Sequence, residues 1–134
     1  MLPKEERLKD RKLFNAVFNI AKKNKQKIHS EFFILYFLLK RKDINKFLPK
    51  TAFIAGTKID KRAVVRNLIK RRMRSAYRKI KARIKDKNFL NKVSVLVWIA
   101  NPQSKDATFK QIESSMENIL NKLGSRVYQV QSHE

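Results

Sequence analysis

The sequence contains no cysteine, so neither a disulfide framework nor a thiolate metal site can underlie the fold. Two glycines and three prolines leave little material for long irregular loops. Gly56 and Gly124 stand alone, which excludes a glycine-rich phosphate loop. No stretch approaches the ~18 apolar residues of a helical membrane span; the run 32–39 is far too short. Nothing at the N-terminus reads as a cleavable signal. His29 and His133 are the only histidines, one beside an apolar segment and one near the C-terminal end, which is poor material for a general base or a ligand pair. The eleven acids show no clustering of the kind a two-metal nuclease centre needs, and Glu113 and Glu117, four apart, read as surface charge. No catalytic residue and no metal ligand is therefore assigned to the chain itself.

Basic residues dominate instead. Thirty-three Lys and Arg give a formal charge of +22, on a mass of 15.9 kDa. Such a surface attracts polyanions strongly and repels itself when unbound. A hydrophobic content of 43%, with nine Phe, three Tyr and one Trp, separates the chain from a disordered basic tail. At 134 residues it fits one domain with a real core. The lack of cysteine fits a reducing compartment, and a cytoplasmic location is expected.

Periodicity orders the elements. Asp10 can cap a helix over 11–22, where Leu13, Phe14, Val17, Phe18 and Ala21 recur at helical spacing. Residues 22–27 are a polar connector, 31–40 (EFFILYFLLK) a buried strand, 41–50 a charged loop, and 51–57 (TAFIAGT) a short strand ending near Gly56. A basic helix follows over 61–87. Residues 93–100 (VSVLVWIA) are apolar on both faces, as a central strand should be, and Asn101-Pro102 ends it. Thr108 with Gln111 forms a capping box for a last helix with the face Phe109, Ile112, Met116, Ile119, Leu120 and Leu123, and Gly124 is placed as its C-terminal cap. The order α-β-β-α-β-α, with a further short strand near Ile28, defines an α+β fold: a single domain over 1–134 with helices packed on one small sheet and flexible ends at 1–9 and 125–134.

The segment 58–87 (KIDKRAVVRNLIKRRMRSAYRKIKARIKDK) holds fourteen Lys and Arg against Asp60 and Asp86. At ~100° per residue, Val65, Ile69, Met73, Ala76, Ile80 and Ile84 share one stripe. Arg66, Lys70, Arg74, Arg78 and Lys81 fall beside it, and Asn67, Arg71 and Lys85 complete the arc. Surface helices normally mix signs at i,i+4, whereas here like charges stand four apart from Arg62 to Arg78. A polyanion relieves that repulsion. Arg grips phosphate as a planar fork and Lys as a point charge, so RNA or DNA phosphates suit the arc. Phe14 and Phe18, and likewise Ile34 and Tyr36, read from periodicity as core, with a base-stacking groove as the alternative.

The run Ala63-Val64-Val65-Arg66-Asn67-Leu68-Ile69-Lys70-Arg71-Arg72-Met73-Arg74 resembles the signature helix of the bacterial ribonuclease P protein family, in which Arg-Asn-Arg precedes Ile-Lys-Arg and a further Arg. The flanking elements follow the family order, so the resemblance spans nearly the whole chain. It implies a strand–basic helix–strand unit with a left-handed crossover, where parallel strands ordinarily favour the right-handed one. It also implies a subunit of an endonuclease holoenzyme that removes the 5′ leader of precursor tRNA. The catalytic centre then lies in the RNA, with Mg2+ ions held there and no cofactor bound by protein residues alone. Carried over by position, Arg66, Asn67, Lys70, Arg71 and Arg74, with Lys58, Lys61 and Arg62 nearby, would contact the catalytic RNA. Phe14, Phe18, Ile34 and Tyr36 match the cleft that receives the single-stranded leader, which moves the stacking alternative ahead of the core reading. The implied partners are the catalytic RNA and precursor tRNA, with no membrane and no protein partner.

Departures from the family pattern are local. Leu68 stands where the motif has its second Arg, residues 52–58 keep only the second Lys of the usual strand-end pair, and Ala100-Asn101 replaces a basic pair. Two other readings use the same charge: a ribosomal or general structured-RNA-binding protein without a leader cleft, and a DNA-binding helix, disfavoured because no helix-turn-helix partner precedes it. A polybasic membrane-surface helix would need the apolar stripe that the core requires.

Overall fold

The computed structural model describes residues 11–24, 26–39, 49–84 and 89–132. Its elements are α1 (Arg11–Asn24), β1 (Lys27–His29), β2 (Phe33–Leu39), β3 (Lys50–Ile54), α2 (Ala63–Arg83), β4 (Val93–Ala100) and α3 (Phe109–Ser132), with 3-10 turns at Leu90–Lys92 and Pro102–Asp106. They form an α+β fold with one mixed sheet in the order β1-β2-β4-β3. The short strand expected near Ile28 is β1. Antiparallel ladders join β1 to β2 and β2 to β4, while β3 pairs with β4 in parallel. A parallel neighbour needs a long crossover, and α2 provides it. The strand–basic helix–strand unit is thus a true parallel crossover, for which a hand is defined.

The apolar runs of β2 and β4 are explained by their central places, because both faces of the sheet are covered. On one face α2 and α3 pack on Phe33, Leu35, Phe37, Leu96 and Trp98. On the other, Val17 and Ala21 of α1 pack on Tyr36, Val95 and Val97. A bulge lets β4 serve both: Leu38 pairs with Val95 but Leu39 with Val93, which leaves Ser94 as the extra residue. Val93 thereby joins the α2/α3 core while Val95 faces α1.

Helix α2 buries Ile69, Met73, Ala76, Tyr77 and Ile80. Full burial contributes about 1.5–3 kcal/mol for a side chain such as Ile69, Met73 or Ile80. Tyr77 widens the expected stripe, and its ring meets Phe53 of β3 at 5.8 Å and Trp98 of β4 at 6.2 Å. The helix ends at Arg83, earlier than expected, because Ile84 turns to extended geometry and packs on the core. Arg83 reaches α3 by donating to Glu113 Oε1 and, at 2.6 Å, to Glu117 Oε2. The pair that read as plain surface charge is therefore a clamp on the basic helix.

Helix α3 begins at the expected capping box, and both of its bonds form: Gln111 N to Thr108 Oγ1 at 3.2 Å and Thr108 N to Gln111 Oε1 at 2.9 Å. Its end differs from expectation. The helix runs through Gly124 to Ser132, so most of the expected flexible tail is helical. Val127, 1% exposed, continues the buried face by one turn beyond Leu123. Gly124 lies under the Phe89 ring, where an added Cβ would meet Cδ1 at 3.5 Å. It is a packing position, not a cap. Strand β3 also spans Lys50–Ile54, starting one residue before and stopping three before the expected segment. Asp10 and most of the expected loop 41–50 lie outside the described residues.

Candidate nucleic-acid interface

The buried residues of α2 define about 100° of its circumference at ideal helical spacing. One flank of that stripe is taken by α3: Lys79 Nζ lies 4.8 Å from the Phe109 ring centroid, and Arg83 holds Glu113 and Glu117. The other flank, toward Tyr77 and the β3 edge, carries the basic arc. Arg66, Lys70 and Arg74 are half-buried beside the packed stripe, and Asn67, Arg71 and Arg78 are exposed. Among the described residues no carboxylate pairs with Lys70, Arg71, Arg74 or Arg78. The helix thus presents a row of cations whose mutual repulsion no acid among the described residues relieves. Leu68, in place of the family arginine, is 37% exposed, and Val64 one turn earlier is 80% exposed.

The approach to α2 adds Lys58, Lys61 and Arg62, all exposed. Ile59, 7% exposed, anchors this turn in the core, and its N–H donates to Gly56 O at 3.1 Å. Asp60 organises the residues that lead into the helix. Its Oδ1 accepts the Arg62 backbone N–H at 2.8 Å and Nε at 3.1 Å, and its Oδ2 accepts Arg62 Nη2 at 3.0 Å. Lys105 Nζ from the turn after β4 lies 2.8 Å from the same Oδ2. These bonds, first those of the Arg62 side chain and then that of Lys105, hold the Asp60 carboxyl far below the usual carboxylate range. Arg66 Nη1 donates to the carbonyls of Asp60 at 3.1 Å and Lys61 at 2.8 Å. The eight expected RNA contacts therefore lie on α2 and on the turn that leads into it. Asp60 and Lys105 were not among them; a contact between the two ends of a crossover leaves no local signal in the sequence.

The second expected site lies on the opposite face of the sheet. Phe18 meets Tyr36 edge-on, with ring centroids 5.2 Å apart and planes at 71°. Lys27 Nζ stands 5.9 Å from the Tyr36 centroid. Ile34 pairs with Ile99, which pairs with Ile54, so three isoleucines cross the sheet in one row, each half-buried. Val17 and Ala21 of α1 are fully buried, whereas Phe18 is half-buried. Tyr36, at 8% exposure, is largely core, and it is the ring on which Phe18 rests. The Phe14 side chain lies outside the described residues. The structure thus brings Phe18, Ile34 and Tyr36 together at the margin where α1 leaves the sheet partly open.

A sequence model described as Ribonuclease P matches residues 2–124. The chain belongs to the ribonuclease P protein family. It is 30% identical over 125 residues to the ribonuclease P protein component of Shouchella clausii, covering 90% of this chain and 88% of that one. The component from Clostridium botulinum is 29% identical over 121 residues, covering 90% and 96%. Among solved structures, the ribonuclease P protein of Staphylococcus aureus superposes with a TM-score of 0.61 at 27% identity, covering 92% and 93% of the two chains. That of Thermotoga maritima gives 0.64 at 21% identity, covering 87% and 96%, a likeness of fold. The α+β order expected from periodicity, with the further short strand near Ile28, is the order observed.

Among the described residues, no group of three or more His, Asp or Glu is disposed to hold a metal ion, and no helix is long and apolar enough to cross a membrane. His29 is exposed on β1, opposite Ile34.

Proposed function

We propose that this ribonuclease P protein binds the catalytic RNA through the α2 arc and guides the 5′ leader of precursor tRNA along the α1 margin of the sheet. Arg66, Asn67, Lys70, Arg71 and Arg74 contact phosphates of the RNA subunit, with Lys58, Lys61 and Arg62 extending the contact. Phe18, Ile34 and Tyr36, together with Phe14, offer apolar surface to unpaired leader bases. The RNA carries the catalytic centre and its Mg2+ ions, which supply the activated water, and the particle works in the cytoplasm. The protein contributes charge neutralisation and placement of the leader, so that the holoenzyme selects precursor over mature tRNA.

The observation that carries this reading is the row of α2 cations, Lys70, Arg71, Arg74 and Arg78, with no carboxylate partner among the described residues, on a helix fixed by its buried stripe and, on the far flank of that stripe, by the Arg83 clamp. A flexible basic tail would bind RNA as strongly in bulk charge but would not fix the spacing of its phosphate contacts. With ~6–10 such contacts, affinity for the RNA subunit should fall ~10³–10⁵-fold between 50 and 200 mM salt. The test is Arg66→Ala with Lys70→Ala. Assembly should weaken and the salt slope should drop by about 1.4–1.8, at ~0.7–0.9 for each phosphate neutralised by these two side chains. An unchanged affinity and slope would remove the arc from the interface.

A further inference from the structure

Asp60 is the only acid between residues 50 and 84, and it stands inside the most cationic stretch of the sequence. Its side chain is 8% exposed, yet the two cations that grip it remain open, Arg62 at 72% and Lys105 at 39%. Arg62 uses Nε and Nη2 on the carboxylate, which leaves Nη1 pointing elsewhere. Lys105 uses one contact of an ammonium with three donors. The base under Lys105 is itself fixed: Ser104 is fully buried and its Oγ donates to Asn101 O at 2.7 Å. Through its own main-chain carbonyl, Asp60 also holds Arg66 Nη1. One residue thus gathers cations from three places: its carboxylate holds Arg62 of the entry turn and Lys105 of the turn after β4, and its main-chain carbonyl holds Arg66 of α2.

By charge counting alone, an acid at this place weakens the attraction of a polyanion. Its compensation is geometric, since long flexible side chains fixed before binding lose less freedom when a phosphate arrives. We infer that Asp60 is a positioning residue that extends the RNA interface beyond α2 onto the turn after β4, holding Arg62 and Lys105 side by side as a preformed pair for phosphates of the RNA subunit. This rests on the reading of α2 as the face that binds that RNA.

Asp60→Asn tests it because two accounts predict opposite signs. Asparagine removes a negative charge and so must tighten binding to an unstructured polyanion such as poly(U). If Asp60 acts by position, the same substitution weakens binding to the RNA subunit. A contact with salt slope ~0.9 is worth about fivefold at 0.15 M salt relative to 1 M, so loosening one or two contacts should cost about five- to thirtyfold. Lys105→Ala, at a half-exposed surface position, is the second variant and does not depend on Asp60→Asn folding. It should weaken RNA-subunit binding about fivefold, lower the salt slope by about 0.7–0.9, and add less than its full effect to Asp60→Asn. A merely structural Asp60 would lower the melting temperature without separating the RNA subunit from poly(U). If Asp60→Asn tightens or leaves unchanged the binding of the RNA subunit, or Lys105→Ala leaves affinity and slope unchanged, the inference falls. The Arg66→Ala/Lys70→Ala protein is the control: if it too binds as the unaltered chain does, the underlying RNA-binding reading fails, and not this inference alone.

Discussion

Truncating Phe18 to alanine separates a cleft from a core. The ring is half-buried and meets Tyr36 edge-on at 5.2 Å. Removing a fully buried Phe costs about 3–5 kcal/mol. Half of that, with the edge contact of about 0.5–1.5 kcal/mol included, puts Phe18→Ala near 2 kcal/mol. A domain of this size is stable by about 5–15 kcal/mol, so the variant stays folded and melts about 5–10 °C lower. If the ring also stacks on a leader base, a further effect appears only with substrate. Base–aromatic stacking is worth about 1–3 kcal/mol, which is about 5- to 150-fold in affinity. The assay compares holoenzyme affinity for precursor tRNA with that for mature tRNA at fixed salt, alongside assembly with the RNA subunit. Precursor binding alone should weaken. Equal weakening for both tRNAs, or loss of the fold, would refute the leader contact and return Phe18 to the core.

Gly124→Ala should stabilise the chain by about 0.5–1 kcal/mol, because an alanine Cβ fits at ordinary contact distance from Phe89 within a continuing helix. A lower melting temperature would contradict that packing. Asp60, with its pKa depressed in the fold, contributes stability that is fully present above the unfolded-state value of ~3.9 and is lost only as pH falls through the lower folded value. Its carboxyl resonance should therefore show an ionised group at pH 3, where ordinary carboxylates are mostly protonated. Titration of Asp60 near pH 4 would contradict the bonds drawn to Arg62 and Lys105.

The parts of this fold that the sequence makes legible are those written in local pattern. The apolar runs of β2 and β4, the Thr108–Gln111 box and the stripe from Val65 to Ile80 depend on spacing within one element. The basic arc is legible for the same reason, since charge at helical spacing needs no tertiary knowledge. Features set by contacts between distant segments are not. Tyr77 looks like the edge of a stripe until Phe53 and Trp98 surround it. Gly124 carries the usual mark of a helix end, yet Val127 still has a core to enter. The Ser94 bulge that turns β4 from one core to the other has no signature in VSVLVWIA. Likewise the Asp60–Lys105 contact and the Arg83 clamp join residues that nothing in the linear chain connects. The aromatic site falls between: Phe18 and Tyr36 are identifiable as a pair, but only the packing of α1 tells which ring is buried and which stays partly open.

The most direct test of the account is cleavage of a 5′-labelled precursor tRNA at low magnesium by the protein alone, by its cognate catalytic RNA alone, and by both together. The account predicts cleavage at the mature 5′ end that appears, or becomes much faster, only when both are present, with none from the protein alone. No enhancement by a protein that still binds the RNA would contradict it, leaving a basic RNA-binding domain with the ribonuclease P protein fold but without its function.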